Sequence, residues 1–125
     1  MILDTTALSD FLKEEPGIRR NVASSTSFSI PVIVLGEYGF GLRLSKYRRI
    51  FEEKLEELLR DVQILPIEKQ TTVVYADIRS ELKAAGTPIP ENDLWIAALV
   101  REHDLPLLSK DRHFDSVQGI SRLGW

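Results

Sequence analysis

Short apolar runs that stop at polar or acidic residues recur along this chain, separated by stretches with helical spacing. Met1, Ile2 and Leu3 run into Asp4. Val62 to Ile67 is broken by Pro66, and Leu105 to Ser109 leads into Lys110 and Asp111. A short run with no polar alternation reads as a strand buried on both faces. Such strands suit a parallel sheet, provided that the connections are long enough to cross over, usually as helices.

The intervening segments meet that requirement. Thr5 to Lys13 places Ala7, Leu8, Phe11 and Leu12 at helical spacing, and a short helix is expected after Pro16-Gly17, running to about Ala23. Ser24, Ser25 and Thr26 read as a turn, and Thr26 to Ile30 as a strand. Pro31 suits the first turn of the next helix, VIVLGEYGFGLRL, where its missing N–H costs nothing. Lys46 to Asp61 predicts a helix with Ile50, Phe51, Leu55, Leu58, Leu59 and Val62 on one stripe. Glu68 to Ala85 predicts another, with Val74, Ile78, Leu82 and Ala85 on one face and Gly86 as its C-cap. Glu91 to Glu102 predicts a third, apolar all round from Leu94 to Val100 and therefore buried. Ile120 to Leu123 is a candidate last strand. The fold class is α/β, a central parallel sheet with helices on both faces.

The 125 residues suit one domain, 1–125, and 43% apolar content suits a packed core. The absence of cysteine excludes disulfide frameworks, thiol catalysis and thiolate metal sites, and fits a cytoplasmic protein. No apolar run approaches the roughly 18 residues of a membrane span. The net charge of −3 disfavours a protein that grips nucleic acid by its own charge, since such proteins are usually basic.

Four acids stand in apolar surroundings, where charge is costly: Asp4, Glu37, Asp93 and Asp111. Singly, each has an ordinary structural reading. Asp4 can cap a helix, Asp93 can favour a helix N-terminus, and Asp111 can shape a turn. Glu37 can be the one solvated position on its helix, although it has no basic residue within one helical turn. Jointly they say more, because ligands of parallel sheets bind beyond the carboxyl ends of the strands. Asp4 and Asp111 follow strands, Asp93 begins the helix feeding the second of these, and Glu37 follows the second strand by a turn or two. Two carboxylates about 4 Å apart repel by roughly 4 kcal/mol at an effective dielectric of 20. Such a cluster must protonate or bind cations. An oxygen donor set without thiolate selects a hard dication, Mg²⁺ or Mn²⁺. A dication there polarises a phosphoryl oxygen and lets an acidic protein hold a phosphodiester.

LDTTAL, IPVIVLGEYGFG, PIPENDLWIAA, LLSKDRHF and the terminal GISRLGW occur in this order. With these motifs the chain resembles the PIN-domain ribonucleases over essentially its whole length, and among them the VapC-type toxins of toxin–antitoxin pairs. The resemblance implies a three-layer α/β/α sandwich and Mg²⁺- or Mn²⁺-dependent endonucleolytic cleavage of RNA. It implies Asp4 and Asp93 as direct metal ligands, with Glu37 and Asp111 acting through water or as water-activating groups. It places Thr6, Asn92 and Ser109 beside the carboxylates and Asp115 as an accessory acid. It also implies a homodimer and a cognate antitoxin on the apolar surface of Phe40, Leu44, Tyr47 and Phe51.

The remaining polar features are less specific. Arg43, Lys46, Arg48 and Arg49 are candidates for RNA phosphates, though pairing with the acids that follow them is the simpler reading. Lys110 and Arg112 flank Asp111 and are candidates for the same task. His103 and His113 are candidates for a metal ligand or a general base, but a lone His beside an apolar strand is more often a packing or hydrogen-bonding residue, the preferred reading here since the acids suffice for a metal. Competing functions are a PIN nuclease of RNA processing outside a toxin pair, a non-catalytic RNA- or protein-binding module, and an aspartyl-phosphate phosphatase. The phosphatase wants a second Asp two positions after the nucleophile, where Thr6 stands.

Overall fold

A computed structural model describes residues 1–23 and 27–125. The turn expected at Ser24 to Thr26, and the start of the strand expected from Thr26, lie outside the described residues.

Five strands form one parallel sheet: β1 (Ile2–Leu3), β2 (Ser29–Pro31), β3 (Gln63–Leu65), β4 (Leu107–Leu108) and β5 (Arg122–Leu123). Their order is β3-β2-β1-β4-β5. The helices are α1 (Thr5–Leu12), α2 (Pro16–Ala23), α3 (Val32–Arg43), α4 (Arg48–Leu58), α5 (Lys69–Ala85) and α6 (Glu91–His103), with a 3₁₀ turn at Arg112–Ser116. The result is a three-layer α/β/α fold.

Two core clusters show why both faces are covered. In β1, Ile2 points into the larger cluster and Leu3 into the smaller, and Leu107 and Leu108 of β4 divide the same way. Consecutive strand residues face opposite sides, so an all-apolar strand needs apolar partners on both. The larger cluster takes Val34, Ile78, Leu82 and the apolar stretch of α6, and the smaller takes Ala7, Ile18 and Val22.

The central position of β1 determines where a ligand would bind. From β1 the chain winds outward to β2 and β3, then returns to place β4 and β5 on the other side. A crevice opens at such a reversal, beyond the carboxyl ends of the two inner strands. Those strands are β1 and β4, paired Ile2 with Leu107 and Leu3 with Leu108. The same register continues to Asp4 beside Ser109.

Several boundaries differ from expectation. Pro31 closes β2 and precedes α3 rather than lying in its first turn. α4 starts at Arg48, so Lys46 and Tyr47 belong to the connection. Ile50 is 55% exposed and leaves the expected stripe, because its row on the helix continues through Lys54, Glu57 and Asp61. Ala85 is likewise exposed, whereas Thr71, Ile78 and Leu82 are the buried face of α5. Gly86 ends α5 as expected, at φ 71°, a conformation that disfavours any side chain.

Candidate active site

Asp4 leaves the end of β1 and caps α1, its Oδ1 accepting from the Ala7 N–H at 2.8 Å. Its other oxygen, Oδ2, accepts from the Ser109 hydroxyl at the end of β4. Only 6% of Asp4 is exposed. The ordinary capping reading is therefore correct, and it leaves the carboxylate at the crevice all the same.

Ser109 is fully buried and serves two acids at once. While donating to Asp4 it accepts from the Asp111 N–H at 2.9 Å. Asp111 in turn caps the 3₁₀ turn, accepting from the His113 N–H at 2.9 Å. That turn brings the His113 ring back, with Nδ1 at 3.0 Å from Asp111 Oδ1 and 3.4 Å from Asp93 Oδ2. Asp93 is half-buried in the first turn of α6. Glu37 comes from α3 and accepts from the Thr5 hydroxyl at 2.8 Å.

Electrostatics tie the four acids together. Burial pushes the Asp4 carboxyl above its ordinary range, against the hydrogen bonds from Ser109 and Ala7, and the charges of Asp93 and Asp111 push it further. Burial also raises Asp93, followed by the charges of Asp111 and, more weakly, Glu37, with His113 opposing. The ligand atoms of Asp93, Asp111 and His113 all lie within 4.8 Å of one another. A cleft of about 420 Å³ runs from Glu37 between α1 and α3, bordered by Thr5, Thr6, Asp10, Lys13 and Tyr38.

The structure brings Asp4, Glu37, Asp93, Asp111 and Ser109 together. Other candidates are placed differently. Thr6 is exposed on the cleft wall, and its neighbour Thr5 holds Glu37. Asn92 is exposed beside Asp93, and among the described residues no hydrogen bond ties it to the acids. Asp115 turns to Arg122, which grips both its oxygens at 2.7 and 2.9 Å and holds its carboxyl below the ordinary range. Asp4 differs from Asp93, Asp111 and His113 in that both its oxygens already accept hydrogen bonds, from Ala7 and Ser109.

The basic candidates mostly meet the chain's own acids. Arg48 pairs with Glu52 at 2.6 Å, Arg43 with Glu52 at 3.5 Å and Arg49 with Glu53 at 3.7 Å. Lys46 lies over the Tyr47 ring, 5.2 Å from its centroid. Lys110 pairs with Asp10 at 3.2 Å and lies over the Trp125 ring, while Arg112 is exposed. Pairs this exposed contribute little and exchange readily for other anions. His103 is remote in role, pairing with Glu102 at 3.3 Å.

Two contributors are not evident in the sequence. Thr5 was hidden by its identical neighbour. His113 shows a signal only once Asp111 is known to cap a tight turn, which folds the ring onto that carboxylate.

The PIN domain family model matches residues 1–120, and the chain belongs to the PIN domain family. It is 30% identical over 122 residues to the toxin FitB of Neisseria gonorrhoeae, covering 89% of this chain and 87% of that protein. It is 27% identical over 123 residues to the ribonuclease VapC5 of Mycobacterium tuberculosis, covering 96% and 89%. A chain of VapBC2 from Rickettsia felis, solved bound to a DNA fragment from their promoter, superposes with a TM-score of 0.89 at 25% identity, covering 99% of this chain and 97% of that one. Among the described residues no helix is long and apolar enough to cross a membrane.

Proposed function

We propose that this chain is an endoribonuclease dependent on a divalent metal, the toxin of a VapBC-type pair, with residues 1–125 as a single PIN domain. The observation that supports this most is the meeting of four acids from distant parts of the sequence at the reversal point of the sheet. Family membership and relatives that are themselves VapC ribonucleases point the same way.

The donor set fits a hard dication. It offers carboxylate oxygens and one imidazole nitrogen, without thiolate. Asp4 and Asp93 are charged at a cost that an ion would offset, as their raised pKa values indicate. Mg²⁺ or Mn²⁺ would be held by Asp4, Asp93 and Asp111, with Glu37 and His113 at its margin. When bound, it supplies a Lewis acid for the phosphodiester and a water of lowered pKa.

The chain's own residues supply the rest. Ser109 and the Ala7 N–H fix the Asp4 carboxylate, so it pays no reorganisation on binding. Thr5 occupies Glu37 Oε1, leaving Oε2 to take a proton from the attacking water at the head of the cleft. The cleft between α1 and α3 gives a nucleotide strand a path, with Lys13 and Lys110 near its borders. Arg43, Arg48 and Arg49, whose partners are exposed acids, together with Lys46 and Arg112, are secondary phosphate contacts.

Exposed Phe40 (67%), Leu44 (77%) and Tyr47 (52%), joined by Ile50 (55%), give the end of α3 and the start of α4 an apolar surface, whereas Phe51, expected there, is half-buried against the larger core. We assign it to the cognate antitoxin, in keeping with neighbours solved as VapBC complexes. A cytoplasmic homodimer completes the proposal.

Incubating the purified chain with RNA and Mn²⁺ tests the activity. Cleavage leaving 5′-phosphate and 3′-hydroxyl ends, stopped by EDTA and absent in Asp4→Ala, is expected. Phosphate release from small esters with an adduct on Asp4, or cleavage unaffected by EDTA, would reject it. Growth arrest on expression, relieved by Asp4→Ala, tests the toxin role.

A further inference from the structure

Ser109 organises two acids of the site, and its own backbone is held by a guanidinium. Its carbonyl accepts from Arg122 Nη1 at 3.0 Å. The other two corners of the same fork, Nε and Nη2, grip Asp115 at 2.7 and 2.9 Å. The Arg122 side chain is only 18% exposed, although Asp115 is half exposed.

An isolated surface Arg–Asp pair does little. This pair differs because its third donor reaches a backbone atom of a fully buried residue at the crevice. Every polar atom of Ser109 is thereby used. Its N–H donates to the Leu123 carbonyl at 2.9 Å. Its hydroxyl donates to Asp4 and accepts from the Asp111 N–H. Its carbonyl belongs to the peptide joining it to Lys110, and the Asp111 N–H lies in the very next peptide, so the carbonyl is anchored one peptide from that N–H.

We propose that Arg122, oriented by Asp115, is a positioning residue for the acid cluster: by holding the Ser109 carbonyl it fixes the spacing of Asp4 and Asp111. This rests on the metal-nuclease reading of the site. Asp115 then acts through Arg122 rather than as an accessory acid at the metal. The task needs a planar fork that binds a carboxylate with two donors and a carbonyl with a third. A lysine keeps the charge near Asp111 but cannot reproduce that geometry.

Mn²⁺ binding to the full chain, measured by electron paramagnetic resonance, tests this beside RNA cleavage and thermal unfolding in EDTA. Partners one layer out from a metal ligand typically change affinity by about 10- to 100-fold. Arg122→Met and Arg122→Lys should each weaken Mn²⁺ binding by about 10-fold and lower kcat similarly, with the KM for RNA little changed. Asp115→Asn should shift both in the same direction by less, and Arg19→Met, an exposed control paired with Glu14, should shift neither. Wild-type Mn²⁺ affinity in Arg122→Met would overturn the proposal. So would full affinity in Arg122→Lys, since charge alone would then suffice. If Arg122→Met does not fold, Arg122→Lys and Asp115→Asn decide by the same readout. A wild-type chain that binds no Mn²⁺ would instead remove the functional reading, and this proposal with it.

Discussion

Replacing Asp93 by asparagine removes a charge and almost nothing else. The amide keeps the size of the carboxylate and an oxygen for the His113 ring, which lies 3.4 Å from Asp93 Oδ2. The charge it removes faces Asp111, with ligand atoms of the two residues within 4.8 Å of each other. Two unit charges at that spacing repel by about 1 kcal/mol in water and about 3 kcal/mol at an effective dielectric of 20. Asp93 is half-buried, so solvent screening favours the low end, about 1 kcal/mol. Unfolding entropy of about 2.1 cal/mol/K per residue converts each kcal/mol into about 4 °C for a chain of this size. In EDTA, Asp93→Asn should therefore melt about 4 °C above wild type, and higher if the site is drier. In Mn²⁺ the order should reverse. An ion at 100 times its Kd stabilises by about 2.7 kcal/mol, which raises the wild-type Tm by about 10 °C and leaves the variant nearly unmoved. RNA cleavage by the variant should vanish in either buffer. Circular dichroism melts in the two buffers provide the comparison. A metal-free variant less stable than wild type, or one shifted equally by Mn²⁺, would refute the reasoning.

Stability without metal should also depend on pH in an unusual direction. Asp4 and Asp93 have raised folded-state pKa values, so the folded chain holds more protons than the unfolded one between the ordinary and raised values. Urea denaturation in EDTA should therefore show stability falling as pH rises from about 4 through that window, then levelling, a trend weakened in Asp93→Asn. Ser109→Ala leaves Asp4 Oδ2 and the Asp111 N–H without their shared partner and should cost about 1–3 kcal/mol, read by the same denaturation. Phe114, 1% exposed, closes the larger core beneath the 3₁₀ turn, and Phe114→Ala should cost about 3–5 kcal/mol and loosen Asp111 and His113 together, lowering Mn²⁺ affinity. Full Mn²⁺ affinity in a folded Phe114→Ala chain would separate that turn from the site.

The parts of the fold that follow from local rules were legible in the sequence. Ile2 and Leu3 must both be buried, which demands cover on two faces, and strands alternating with helix-length connections make the sheet parallel. The apolar stretch of α6 follows the same logic, as does Gly86 at the end of α5. Asp4, Glu37, Asp93 and Asp111 each have an ordinary reading alone, and stand out in the sequence only jointly, as acids that a parallel sheet would bring to one edge. What was missed depends on angles and on distant partners. Thr5 and Thr6 differ by one step around α1, and only the packing of α3 decides which reaches Glu37. Asp115 was expected beside the acids, but the placement of β5 presents Arg122 to it from seven residues on. Ile50 has the apolar character of the buried stripe but stands one row outside it on α4. His113 joined the acids through a tight turn whose register no periodicity reveals.

Anomalous diffraction from crystals soaked in Mn²⁺ locates the ion itself. A strong peak about 2 Å from carboxylate oxygens of Asp4 or Asp93, with Asp111 and Glu37 around it, is the result expected of an acidic site built to hold a hard dication. A map with no peak between the ends of β1 and β4, from a chain that nonetheless cuts RNA, would contradict the account.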